Sequence, residues 1–178
     1  MLQIPSYTYN FKGYEVTILR LEQAFPDVQG NKYFKLKYNL QEAQQQQHDT
    51  LLTFGGAFSN YIHATAIAGK QFGFKTIGII RGEDDPQNPT LQFAREHGMQ
   101  LHFVTRELYK TMRAHNPVQE AFTANYGRCY VMPEGGTNNF AVKGCTEILE
   151  GIADKYDYVI TAVGTGGTMA GIIETPGL

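Results

Sequence analysis

An α/β fold with a parallel sheet is predicted by three features of the sequence. Short apolar or β-branched runs alternate with longer stretches of helical spacing, and glycine-rich turns separate them. Residues 158–163, YVITAV, are nearly continuous apolar, as a parallel strand buried on both faces reads. The first expected strand covers residues 14–19. A helix over 31–46 follows Gly30, and the glutamines at 44–47 continue its exposed face. The run at 50–54 ends on Gly55-Gly56 and is read as a strand, with a helix over 59–72 beginning at Ser59. A strand at 75–80 precedes the solvated loop of Glu83 to Asp85 with Pro86 and Pro89. Then come a helix at 90–97, a strand at 100–104, helices at 106–112 and 118–126, and a strand at 128–132. A helix over 138–152, a strand over 156–163 and a helix starting near Gly167 complete the order. Strands separated by helices argue for a parallel sheet with helical cover.

At 178 residues and 19.9 kDa, the chain suits one large domain or two small ones sharing a core. Fifteen basic and 17 acidic residues give a net charge of −2, so no basic surface exists to neutralise nucleic-acid phosphates. Nor does any charge pattern point to a membrane. Hydrophobic residues make up 42%, enough for a core, and disorder as the main state is excluded. Residues 1–10 lack a basic region followed by an apolar stretch, and no apolar run reaches the ~18 residues of a spanning helix. A soluble, cytoplasmic protein is expected. Cys129 and Cys145 form neither a disulfide framework nor a CxxC site, and the five histidines show no ligand spacing, so no metal is expected.

Three segments carry chemistry. In Gly30-Asn31-Lys32-Tyr33-Phe34-Lys35, Asn31 reads as an N-cap, which puts Lys32 and Lys35 in a first helical turn. Cations are unfavourable there by ~0.3–1 kcal/mol each, so an anion should compensate unless both are simply solvated. The turn Gly55-Gly56-Ala57-Phe58-Ser59-Asn60 lies at the carboxyl end of a strand, where open α/β sheets bind ligands. Ser59 and Asn60 with the adjacent amides suit a carboxylate, and a plain helix cap is the alternative. The loop Gly164-Thr165-Gly166-Gly167-Thr168 suits a phosphate, with an ordinary strand-to-helix turn as the alternative. It is neither a Walker loop nor a dinucleotide fingerprint. Glu134-Gly135-Gly136-Thr137-Asn138 is a turn into a helix with a plausible cap, which also suits a cleft lining.

These segments, in this order and spacing, resemble the 1-aminocyclopropane-1-carboxylate deaminase and D-cysteine desulfhydrase family of pyridoxal-phosphate enzymes, from about residue 29 to 171. The resemblance implies a tryptophan synthase β-like fold of two lobes with parallel sheets. Residues 1–37 and 131–178 would form part of the large cofactor-binding lobe, and 38–130 the small one. It also implies pyridoxal 5'-phosphate as cofactor. Lys32 matches the lysine that holds the cofactor covalently and later moves the substrate proton, and Lys35 a phosphate contact. Asn60 matches the contact to the cofactor's phenolic oxygen, and Thr165, Gly166, Gly167 and Thr168 the phosphate loop. Ser59, Asn60 and Tyr61 match the substrate carboxylate site, with Ser59 also catalytic. Phe58 and His63 stand where the family usually has Gln and Arg, which leaves the substrate open.

The activity implied is a deaminase or lyase that releases ammonia and a 2-oxo acid from a small amino acid. A noncatalytic ligand-binding or interaction module with the same fold is the alternative, and a dinucleotide oxidoreductase ranks below both. Family members continue well past the phosphate loop. The strand at 158–163 would therefore lack neighbours, and the chain is expected to form a homo-oligomer or leave its C-terminal part loosely packed.

Overall fold

The computed structural model describes residues 4–178 apart from 26, 29, 115–123 and 125. The chain opens with a hairpin, β1 (Ser6–Phe11) and β2 (Tyr14–Leu19), and a single helical turn, α1 (Leu21–Ala24). It continues through α2 (Asn31–Gln45), β3 (Thr50–Gly56), α3 (Asn60–Phe72), β4 (Lys75–Arg81), α4 (Pro89–Glu96), β5 (Met99–Val104) and α5 (Arg106–Ala114). Strand β6 (Cys129–Met132), a 3-10 turn (Glu134–Gly136), α6 (Asn139–Thr146), a second 3-10 turn (Ala153–Lys155) and α7 (Gly167–Ile173) follow.

Strands β3 to β6 form one parallel sheet in the order β5-β4-β3-β6. The central strand β3 is buried along Thr50 to Gly55, and its successive side chains supply both faces of the sheet. On one face Leu51 packs with Leu36 and Leu40 of α2 and Tyr61, Ala64 and Ala68 of α3. On the other, Leu52 and Phe54 pack with Ile77, Ile79, Tyr109 and Met112. A separate core away from the sheet joins Phe34 of α2 to Cys145, Ile148, Leu149 and Ile172. Helix α2 therefore serves both cores, and residues 37 and 38, the expected lobe boundary, lie within it. The other expected boundary, at 130, lies within β6.

Four expectations need correction. Residues 156–163 form no strand: Tyr158 and Ile160 are 87% and 95% exposed, and no described strand runs beside them to complete a hydrogen-bonded ladder. The hairpin strand β1 and the turn α1 were not expected. The helix expected to reach residue 152 stops at Thr146 and gives way to turns. Asn31 is the first helical residue rather than the cap, which is Gly30 at φ 64°. The helix expected over 118–126 falls largely outside the described residues, with Ala124 and Tyr126 helical.

Candidate active site

Helix α2 projects Lys32 and Lys35 toward two loops from distant parts of the chain. The Lys35 ammonium donates to the Gly135 carbonyl at 2.6 Å and to the hydroxyls of Thr137 at 3.2 Å and Thr165 at 3.3 Å. Those hydroxyls are hydrogen-bonded to each other at 2.6 Å. A second set of bonds runs through Asn31, its amide donating to Thr168 Oγ1 at 2.6 Å and its side-chain oxygen accepting from Lys32 Nζ at 2.6 Å. Helix α2 is thus tied to the loop at 165–168 by two separate hydrogen bonds, Lys35 to Thr165 and Asn31 to Thr168, with Lys32 held by Asn31.

The close approach depends on glycine. Gly135 and Gly136 adopt φ 63° and 67°, conformations that L side chains rarely adopt. A Cβ on Gly135 would press on Thr165 Oγ1 at 2.7 Å, and one on Gly136 would overlap the Tyr61 ring. Gly167 backs onto Lys35, with an added Cβ 3.1 Å from its Cε and 2.9 Å from Thr137 Oγ1. Gly166 caps α7 in the left-handed region.

Electrostatically the Lys35 cluster is unusual. Lys35 is 3% exposed, and among the described residues each hydrogen-bond acceptor around its ammonium is neutral. Burial, and then the charge of Lys32, push its pKa down to about 8, against a small opposing effect of Cys145. Lys32 is lowered by burial alone, again opposed by Cys145. Burial thus acts on both lysines, and the charge of the neighbouring lysine lowers Lys35.

The turn from β3 into α3 behaves as its sequence implies. The Ser59 hydroxyl oxygen caps α3, accepting from the amides of Tyr61 at 3.2 Å and Ile62 at 3.3 Å. Asn60 is exposed at the first helical residue. Tyr61, expected at the substrate, has its ring in the core: it is 1% exposed and its hydroxyl donates to Met132 Sδ at 3.2 Å. Through Gly136 it packs against the same 3-10 turn that receives Lys35. His63 stacks on Phe93 at 3.7 Å between ring centroids, and Phe58 is exposed.

Sequence reasoning noticed Glu134 to Asn138 but gave neither Gly135 nor Thr137 a place among the site residues. The signal was the pair of adjacent glycines, the residue type that allows both positive φ and a tight approach by another segment. The Asn31–Thr168 contact and the influence of Cys145 on Lys35 carried no local signal, since each pairs residues more than 100 positions apart in sequence.

The model of the pyridoxal-phosphate-dependent enzyme family matches residues 9–175. The chain belongs to that family. It is 29% identical over 193 residues to the mitochondrial bifunctional D-cysteine desulfhydrase/1-aminocyclopropane-1-carboxylate deaminase of Arabidopsis thaliana, covering 96% of this chain and 48% of that protein. Identity to the D-cysteine desulfhydrase of Serratia proteamaculans is 26% over 176 residues, covering 92% and 53%. The crystal structure of a homologue of 1-aminocyclopropane-1-carboxylate deaminase superposes with a TM-score of 0.77 at 25% identity, over 90% of this chain and 50% of that one. The chain spans about half the length of the curated relatives it matches. The tryptophan synthase β-like fold and pyridoxal phosphate as the family's cofactor follow from these matches.

Proposed function

We propose that this chain carries the cofactor-anchoring part of a pyridoxal-phosphate-dependent deaminase or lyase that takes ammonia and a 2-oxo acid from a small amino acid. One observation carries the reading: a buried lysine ammonium, Lys35, held by a carbonyl and two hydroxyls with no carboxylate among the described residues hydrogen-bonded to it. A cation so placed fits a phosphate, with Thr165 and Thr168 as hydroxyl donors and Gly166-Gly167 allowing the backbone close. Lys32, one turn earlier on α2, is the covalent anchor in this reading. Its lowered pKa raises the fraction of neutral amine, the form that attacks a carbonyl and accepts a proton. When bound, the cofactor supplies the electron sink, and the protein supplies orientation and charge.

Ser59 uses both acceptor lone pairs of its hydroxyl in capping α3, which leaves its own O–H free to donate to a substrate carboxylate. Asn60, exposed beside it, takes the cofactor oxygen. Tyr61 contributes by holding the Gly136 turn against α3 rather than by touching substrate.

The test is spectroscopic. Pyridoxal phosphate added to the purified chain should produce a visible band from covalently held cofactor that is absent from Lys32→Ala. Persistence of that band in Lys32→Ala would sink the assignment of Lys32. Ammonia release from small D- and L-amino acids and from the cyclopropane amino acid then separates an enzyme from a binding module of the same fold.

A further inference from the structure

One turn beyond Lys35, helix α2 buries another polar side chain. Asn39 is 0% exposed and uncharged, on a helix whose neighbouring buried positions, Leu36, Leu40 and Ala43, supply the core. An amide in such a place is costly unless its polar atoms are satisfied. Here all of them are. Its Nδ2 donates to the Lys35 main-chain carbonyl at 2.7 Å and to Asn138 Oδ1 at 3.2 Å. Its Oδ1 accepts from Asn138 Nδ2 at 2.7 Å and from the Tyr130 hydroxyl at 3.1 Å. The two carboxamides donate to one another, a reciprocal pair that joins α2 to the residue capping α6.

Asn138 closes the same turn that receives the Lys35 ammonium. Gly135 and Thr137 supply two of the three acceptors, and the third, Thr165, is bonded to Thr137. Within that turn two adjacent glycines at positive φ leave the backbone with little conformational preference of its own. Its ends are held instead. Before it, Thr53 Oγ1 donates to the Met132 carbonyl at 3.2 Å, and after it the Asn39–Asn138 pair fixes the exit. Lys35 and Asn39, four residues apart and so on one face of α2, therefore grip one turn at neighbouring points.

We propose that Asn39 is a positioning residue of the anion site, fixing the turn of Gly135 to Thr137 against the Lys35 ammonium through its amide pair with Asn138. It is too deep to touch a ligand itself. This rests on the reading of the Lys35 cluster as a phosphate site and names what sets the affinity there. A leucine at 39 would suit the neighbouring core, whereas a fully satisfied polar link specifies one arrangement of the parts it joins. Without the pair, Thr137 loses its fixed place and the Thr165 hydroxyl loses the partner that aligns it. The ammonium then keeps its charge with fewer acceptors, and an arriving anion meets donors that no longer converge.

The experiment follows Lys35 itself, by NMR titration of its Cε resonance in the 178-residue chain, with sulfate affinity below the Lys35 midpoint as the second readout. Sulfate keeps one charge state across that range. Asn39→Leu should move the midpoint from about 8 to about 7, because the charged amine loses acceptors, and weaken sulfate at least about tenfold. Lys32 and Cys145, the titratable groups that act on Lys35, stay in place. Asn138→Ser keeps a capping oxygen for α6 but lacks the amide, so it should reproduce both changes even where Asn39→Leu folds poorly. The double variant should go no further than either alone, as for a pair that acts as a unit. Tyr130→Phe removes a different bond to Asn39, so it should lower the urea midpoint and leave the Lys35 titration and sulfate affinity as in the wild type. A Lys35 midpoint that Asn39→Leu and Asn138→Ser leave unchanged, or that Tyr130→Phe moves as far, overturns the proposal. So does a sulfate affinity that the two substitutions leave unchanged. A wild type that binds no sulfate removes the phosphate reading of Lys35, and the titration still decides whether Asn39 positions its acceptors.

Discussion

Replacing Lys35 with Met removes one buried ammonium and keeps most of its volume, which makes the electrostatic cost of that charge measurable. The folded protein releases the Lys35 proton at about 8 instead of the ordinary 10.5. An unfolded chain still holds that proton up to the ordinary value. Between the two, the unfolded state binds more protons, so raising the pH favours the folded state. Below pH 8 the folded chain bears the full penalty, which relaxes as pH climbs toward 10.5. Each unit corresponds to 1.36 kcal/mol, so the whole effect is about 3 kcal/mol. At 3% exposure little solvent screens it. Urea unfolding of both proteins from pH 7 to 10.5 should show the wild type gaining about 3 kcal/mol relative to Lys35→Met. Leaving the Gly135 carbonyl and the two threonine hydroxyls without their donor adds a constant offset, so the slope of the difference is the diagnostic quantity. Inorganic phosphate should flatten that slope by giving the ammonium a counter-charge. Parallel curves, or a wild type that loses ground as pH rises, would refute the account of Lys35 as a charge buried among neutral partners.

Two further substitutions probe the frame of the site. Ser59→Ala should cost about 1 kcal/mol in chemical denaturation, because the amides of Tyr61 and Ile62 lose their shared acceptor. Gly144→Ala should cost about 1–3 kcal/mol or more, since the added Cβ overlaps the Phe34 carbonyl oxygen and drives α6 away from α2. Thermal unfolding of Gly144→Ala should show the larger loss of the two.

The elements that the sequence made legible are those whose signals are local. The run TLLTFGG at β3 reads as a buried strand because apolar residues fill both faces, and Ser59 and Asn138 read as caps because capping needs only the next three residues. The hairpin was half missed although its period of two is plain in retrospect. Tyr7, Tyr9 and Phe11 pair with Ile18, Val16 and Tyr14 on one face, while Thr8 and Asn10 pair with Thr17 and Glu15 on the other. Its turn places Lys12 at φ 50° and Gly13 at φ 87°, a left-handed pair more often announced by Asn-Gly. Where α6 packs was not legible either, for Gly144 marks the place where α2 lies against that helix.

Residues 158–163 separate two kinds of information in a hydrophobic pattern. Val159 packs against the core formed by α2, α6 and α7, while Tyr158 and Ile160 on the other side face solvent. The segment keeps the alternation of a strand without the ladder that would make it one. Periodicity records which side chains would be buried in a sheet, whereas the ladder depends on neighbouring strands that no single segment can specify. The loop that follows therefore has no strand before it to fix its position. Its position comes instead from the Lys35–Thr165 and Asn31–Thr168 hydrogen bonds and from the Gly167 contact with Lys35. Helix α2, read from local sequence, carries both lysines and Asn31, and so it is the element that brings the loop into the site.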